Sequence, residues 1–457
     1  MKNTIKLALV ASMLLSTSSA FATNGDIMIG QSAESRSMGG VGIATSFGAA
    51  SGLSNPALIN TVEDKEVTGA LTFFMPSVDF ASNASANSQS IPNSNDISSA
   101  DSVADFSVIP EIAFANRVND NFVYGISMTG VAGMGTDYSD EAFGTTTDNG
   151  AFNMKTELQI MKIAVPLSYE KSGLTLGIAP ILQYGSLQMS HMIDTSAQGV
   201  APVPSDFVSL SNGASSDIGF GFELGMAYNF KDYKVKGLTA GLVYKSKIKM
   251  EYDDVIGDSI AAFGLSNSIL SGDKLDQPAE FGVGLSYSIA EHTVAFDYRN
   301  IAWSDTDGYG DFGWEDQNVF ALGYEYAISG WALRAGYNYA KSPIVEQDGS
   351  KGITNPALGA DNYAGAVRNF FNMSGFPGIV ESHITFGGGY TVSDALTIDA
   401  AFVYAPEVSV SYDTSAMTEA FVMGAGGTPA NATAAAESSA DVSHSQMGLT
   451  IAASYRF

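Results

Sequence analysis

The last eleven residues, Met447 to Phe457, read MGLTIAASYRF. Met447, Leu449, Ile451, Ala453, Tyr455 and Phe457 alternate with Gly448, Thr450, Ala452, Ser454 and Arg456. That period of two is the period of a β-strand with one apolar face. The alternation runs through the terminal Phe, where a soluble strand would ordinarily fray into polar residues. The apolar face is therefore expected to meet lipid, with the strand closing a barrel that has no free edge.

The composition agrees. Charged residues make up only 15% of the chain and Gly accounts for 48 residues, so a charged aqueous surface covers little of it. There is no Cys, which removes disulfides, thiol catalysis and Cys-ligated metals. Lys2 and Lys6 precede the apolar run LALVASMLL (Leu7 to Leu15), and AFA (Ala20 to Ala22) is a small-x-small site. Residues 1–22 thus read as a secretory signal cleaved after Ala22. Loss of the two lysines takes the formal charge from −27 to −29, which excludes nucleic acid as a partner. No run of 18 apolar residues follows, so any membrane crossing is by strands.

Alternating segments fall at 65–76, 105–117, 120–134, 152–170, 173–193, 215–230, 237–252, 277–289, 292–304, 316–328, 331–343, 381–391, 396–412 and 443–457. Short turns such as NRVND, EKSG, AEHT and ISG alternate with long connections rich in Ser, Asn, Asp and Gly. The pattern predicts an all-β transmembrane antiparallel barrel of about fourteen strands, short-turned on the periplasmic side. Residues 65–457 would form it. Trp331, Leu333, Ala335, Tyr337 and Tyr339 should face lipid, and Arg334 and Asn338 the lumen.

Between the signal and the first strand lies TNGDIMIGQSAESRSMGGVGIATSFGAASGLSNPALIN (Thr23 to Asn60). Gly40 and Gly42 imitate a dinucleotide fingerprint, but no strand precedes them. The segment resembles the N-terminal hatch of the FadL family of long-chain fatty acid transporters, with Asn55, Pro56 and Ala57 at the family's NPA. GLVYKSKI (241–248), QPAEFGVGLSYSI (277–289), DYRNIAWSD (297–305), WALRAGYNYAKSPI (331–344) and GGGYTVSDALTIDAAFVY (387–404) are similar to family blocks in family order. The family usually has Tyr-Arg-Ser where this chain has Tyr244, Lys245 and Ser246. The resemblance implies a barrel in the outer membrane of a Gram-negative bacterium, with residues 23–64 as its hatch. It also implies passive uptake of hydrophobic compounds, either fatty acids or aromatic hydrocarbons, without a cofactor or an enzymatic step. Sideways release at a kink in the third strand is implied as well, here NFVYGISMTGVAGMGTDY with Gly130, Gly133 and Gly135. Phe457 resembles the C-terminal signal read by the outer-membrane assembly machinery.

Three expectations concern cargo. In GLVYKSKIKMEY, strict alternation puts Lys245, Lys247 and Lys249 together on the lumen face, about 6.6 Å apart. With Arg299 they would either hold a fatty-acid carboxylate or pair with Glu280 or Asp297. Ile260, Phe263, Leu265, Ile269 and Leu270, then Val367, Phe370 and Phe371, then Met417, Phe421 and Met423, recur at helical spacing in polar connections. They read as greasy capture sites or as a cap packed on itself. Asp305, Asp307, Gly310 and Asp316 partly imitate a calcium loop, but Tyr309 takes a ligand position, which leaves a solvated acidic loop. A different class of function, surface adhesion or phage reception through the acidic loops, remains open from sequence.

Overall fold

The computed structural model describes residues 23–82, 98–139, 153–194, 207–211, 213–231, 235–261, 263, 271–352, 361–424 and 437–457. The signal, with Ala22, lies outside them, as do Leu265, Ile269 and Leu270. Fourteen strands make the wall: β1 (Lys65–Ser82), β2 (Ser107–Arg117), β3 (Phe122–Met134), β4 (Lys155–Ala164, continued by Leu167–Lys171), β5 (Leu174–Asp194), β6 (Ala214–Asn229), β7 (Leu238–Lys245), β8 (Glu280–Ile289), β9 (His292–Ile301), β10 (Gln317–Ile328), β11 (Trp331–Ala340), β12 (Ser382–Thr391), β13 (Leu396–Asp413) and β14 (Ser439–Arg456). Each pairs antiparallel with the next. The C-terminal β14 pairs with β1 from Ala440↔Ser82 to Arg456↔Glu66, which closes the barrel.

The alternation read from the sequence is the alternation of the wall. Trp331, Leu333, Tyr337 and Tyr339 point outward and are exposed, while Asn338 is buried within. Short connections fall where turn residues allow them: Ser172 and Gly173, and Ser329 and Gly330, both adopt positive φ between successive strands. That geometry suits a two-residue hairpin turn.

The residues from Thr23 to Val62 lie inside the barrel and are almost all buried. Two short strands, Thr23–Asn24 and Ile27–Met28, form a hairpin. A one-turn helix α1 (Ala33–Ser37) follows, and 3-10 turns cover Gly48–Leu53 and Pro56–Thr61. At the other end of the lumen, the long connections contribute α2 (Ile256–Ala261), α3 (Asp361–Ser374) and α4 (Ser415–Gly424). In α3, Tyr363, Val367, Phe370 and Phe371 share one face and are buried, which is why this polar-flanked segment is helical.

Candidate functional site

The N-terminal segment inside the barrel, called the hatch below for its position, is seated by directional bonds. Asn55 starts its 3-10 turn: Oδ1 accepts from the Ala57 N–H at 3.0 Å, and Nδ2 donates to the Ile43 carbonyl at 2.8 Å. Pro56 follows at the position where a missing N–H costs nothing. The barrel makes room with glycine, since a Cβ on Gly225 would fall 2.0 Å from Asn55 Oδ1 and one on Gly177 2.3 Å from the Ala57 nitrogen. Arg36 of α1 donates through Nη2 and Nη1 to the two carboxylate oxygens of Glu111 on β2, at 2.7 and 2.9 Å. Both residues are buried. The N–H groups of Gly42 and Ile43 donate to Asp297 on β9 at 2.7 and 2.9 Å. These are charge-assisted bonds in a water-poor setting, the strong kind.

Beyond the hatch the lumen turns apolar. One continuous cluster joins Phe80, Leu158, Ile160, Leu187 and Met189 of the wall to Ile260, Phe263, Val367, Phe370, Phe371 and Met417 of the connections. Phe263 lies 5.1 Å from Phe371 and 6.1 Å from Phe370 between ring centroids. The greasy segments therefore pack on one another, and the cavity left among Leu187, Met189, Ile256, Leu275 and Trp314 is about 20 Å³. Met134, Met154, Met189, Met250, Met373 and Met417 line this chamber. Methionine side chains repack at low cost.

In the stretch from Asp305 to Asp316 the acidic residues Asp305, Glu315 and Asp316 are exposed, as expected of a solvated acidic loop, but the aromatic residues between them are not. Tyr309, Phe312 and Trp314 turn inward and are buried, the rings of Tyr309 and Trp314 against Trp303 and that of Phe312 against Phe371. Trp303, Tyr309 and Trp314 pack with centroids 4.6, 5.1 and 4.8 Å apart. They close over Gly25, at whose position a Cβ would meet Trp303 at 2.9 Å. The Tyr309 hydroxyl donates to the Asp26 carboxylate, which burial pushes up to about 6. Asp316 is occupied by Ser304, whose N–H and hydroxyl donate to it. Among the described residues no group of three or more His, Asp or Glu could hold a metal ion.

The lysine row is broken. β7 ends at Lys245, and the chain beyond it folds across the inner face of β6, where Ile248 and Met250 lie over Gly219. Ile248, Met250 and Tyr252 are buried in the chamber wall, so Lys249 turns outward and is exposed. Lys247 donates to the Asp305 carbonyl at 3.0 Å. Lys245 faces inward but pairs with Glu280 at 3.0 Å, and Arg299 stands 3.7 Å from the same carboxylate. Arg299 also donates to the hatch carbonyl of Ile29 at 3.2 Å. Strict alternation fails here because a strand that loses its ladder is free to change face.

The third strand is irregular. β2 and β3 pair only as far as Glu111↔Thr129, although β2 continues along β1 to Ser107 and β3 runs to Met134. The register of β3 against β4 shifts between Gly130 and Ala132. The hatch fills this edge: Ile27 pairs with Ala132, and the Gly133 N–H donates to the Asp26 carbonyl at 3.2 Å. Gly135 lies past the strand, where a Cβ would fall 2.2 Å from the Thr156 carbonyl oxygen. Pro110, the first residue of β2 beyond that pairing, is a signal in the sequence, because a residue without an N–H suits a strand edge. Asp26, Tyr252, Gln277, Trp303 and Trp314 went unremarked, and nothing local marks them.

Residues 11–356 match the family described as outer membrane protein transport protein (OMPP1/FadL/TodX). The long-chain fatty acid transport protein of Escherichia coli O6:H1 is 24% identical over 338 residues, which span 64% of this chain and 71% of that one. Outer membrane protein P1 of Haemophilus influenzae is 22% identical over 388 residues, 77% and 79% of the two chains. In structure, a Pseudomonas aeruginosa FadL homologue superposes with a TM-score of 0.64 at 15% identity, covering 94% of this chain and 99% of that one. The Pseudomonas putida toluene transporter TodX gives 0.61 at 18% identity, covering 95% and 100%.

Proposed function

The chain belongs to the outer membrane protein transport protein family (OMPP1/FadL/TodX) and lies in the outer membrane of a Gram-negative bacterium. From that premise we propose that it carries hydrophobic compounds passively inward and releases them sideways through the wall between β2 and β3, without catalysing a reaction. The observation that supports this reading is the unpaired stretch of β3 beyond Thr129, covered by the hatch hairpin and adjoining an apolar chamber. A methylene left in a water-filled pore costs about 0.8 kcal/mol relative to burial, so a greasy chamber that leads to lipid is the favourable route.

Two cargoes come from the relatives' names, long-chain fatty acids and toluene. The engagement of Lys245 and Arg299 by Glu280 favours an uncharged cargo over a carboxylate. Gly130→Val with Gly133→Val should extend regular pairing of β3 and slow uptake of both radiolabelled oleate and toluene in a strain lacking the native gene. Unchanged uptake by a properly assembled double variant would count against release at this place.

A further inference from the structure

Beneath the chamber, against the hatch hairpin, Asp26, Tyr309 and Gln277 meet without fully satisfying one another, and Tyr252 lies within electrostatic reach of them. Asp26 is wholly buried; one carboxylate oxygen accepts from Tyr309, and the other, Oδ1, has no partner. The Gln277 amide reaches toward both Asp26 and Tyr309, yet its Nε2 completes no hydrogen bond. The Tyr252 hydroxyl, within electrostatic reach of Asp26, is buried and unpartnered as well. A buried donor or acceptor left unpaired costs about 1–3 kcal/mol, so three in one place mark a position that something polar fills. Apolar surface surrounds it on the chamber side: Tyr309 and Trp314 belong to the same wall as Leu187, Met189 and Leu275.

We propose that this cluster is an anchor for the hydroxyl of an uncharged hydrophobic molecule, a phenol or a long-chain alcohol. A hydroxyl both donates and accepts. It donates to Asp26 Oδ1 and accepts from Gln277 Nε2 or from the Tyr252 hydroxyl, while the hydrocarbon body lies among the methionines. A carboxylate has no donor for Asp26 and meets like charge. Nor, among the described residues, does it find a free cation nearby, since Lys162 is held by Glu223 at 2.6 Å and Lys245 by Glu280. The inference rests on the transport reading above and specifies its cargo.

The test titrates the purified full-length barrel, followed by tryptophan fluorescence, since Trp303 and Trp314 flank the cluster. The probes are 4-heptylphenol, heptylbenzene and 4-heptylbenzoate at pH 8. The phenol is expected to bind about tenfold tighter than heptylbenzene, one well-made buried hydrogen bond, and the benzoate most weakly. Tyr252→Phe and Gln277→Leu should each reduce phenol affinity severalfold and leave heptylbenzene unchanged, a comparison in which detergent partitioning cancels. Heptylbenzene or benzoate binding as tightly as the phenol overturns the anchor, as does a phenol preference that survives both substitutions. Binding of none of the three overturns the transport reading instead.

Discussion

The two halves of the lumen are held by different balances of polar and apolar contact. In the hatch half, Arg36, Glu111, Asn55, Asp297 and Arg334 make short directional bonds, and the glycines of the wall admit the hatch backbone to close contact. In the outer half, Phe370, Phe371, Met417 and their neighbours make mainly apolar contacts, pinned at a few points where Tyr363 donates to the Phe263 carbonyl and Trp314 donates to Asn372 at 2.9 Å. Directional contacts have one good geometry, whereas apolar packing has many of nearly equal energy. The difference teaches that the N-terminal segment is held in one register, whereas the apolar cluster can repack at low cost.

Arg36→Ala tests the contrast most severely. It leaves Glu111 buried beside the hatch without its cation, which costs about 3–5 kcal/mol. The hatch should unseat, and planar bilayers should show ion conductance that the wild type lacks. Glu111→Ala added to Arg36→Ala should recover part of the loss, and a single variant as closed as wild type would refute the latch.

The next effect in size is protonic. Burial holds Asp26 near 6 against an ordinary 3.8, so the native hatch keeps its proton longer than an unfolded one. The seat is then at full strength below about pH 4, weakens as pH rises from about 4 to 6, and stays level above that. The change amounts to about 3 kcal/mol, two units of pKa. Burial first, and then the Asp399 charge, push Glu34 up to about 7, which extends the same slope toward neutrality. Channel openings should be more frequent at pH 8 than at pH 4, and Asp26→Asn should flatten the lower part of that dependence.

Met417→Ala probes the other half. It should cost about 2 kcal/mol, the low end for a buried methionine because its neighbours relax. Conductance should stay at the wild-type level while affinity for bulky hydrophobic ligands changes. If this variant leaks ions as Arg36→Ala should, the two halves are not mechanically distinct. The smallest effect is expected at Lys231, whose pair with Glu170 spans 3.4 Å at the exposed rim. Lys231→Ala should alter stability by less than about 0.5 kcal/mol, measured as the unfolding midpoint in urea.

The strands were legible because lipid on one side and a lumen on the other impose a period of two on each of them, and Trp331 to Tyr339 carry that period without interruption. The buried helices were partly legible, since Val367, Phe370 and Phe371 already stood at helical spacing. Lys249 was misplaced because nothing in GLVYKSKIKMEY announces that the ladder stops at Lys245. The cap and the capture site could not be told apart, since one apolar pattern serves both.

The sequence by itself determined the closed barrel and its inward and outward faces, which depend on local periodicity and on the solvent each face meets, while a segment to fill the barrel was implied only by resemblance to the family. Only the tertiary structure decided the polar anchor, because Asp26 meets Tyr309 across 283 residues. It alone placed the edge at Thr129, where a hatch hairpin takes over pairing from a neighbouring strand. Such contacts are set by which distant segments a closed wall forces into the same few ångströms of lumen, and that enclosure has no period to read.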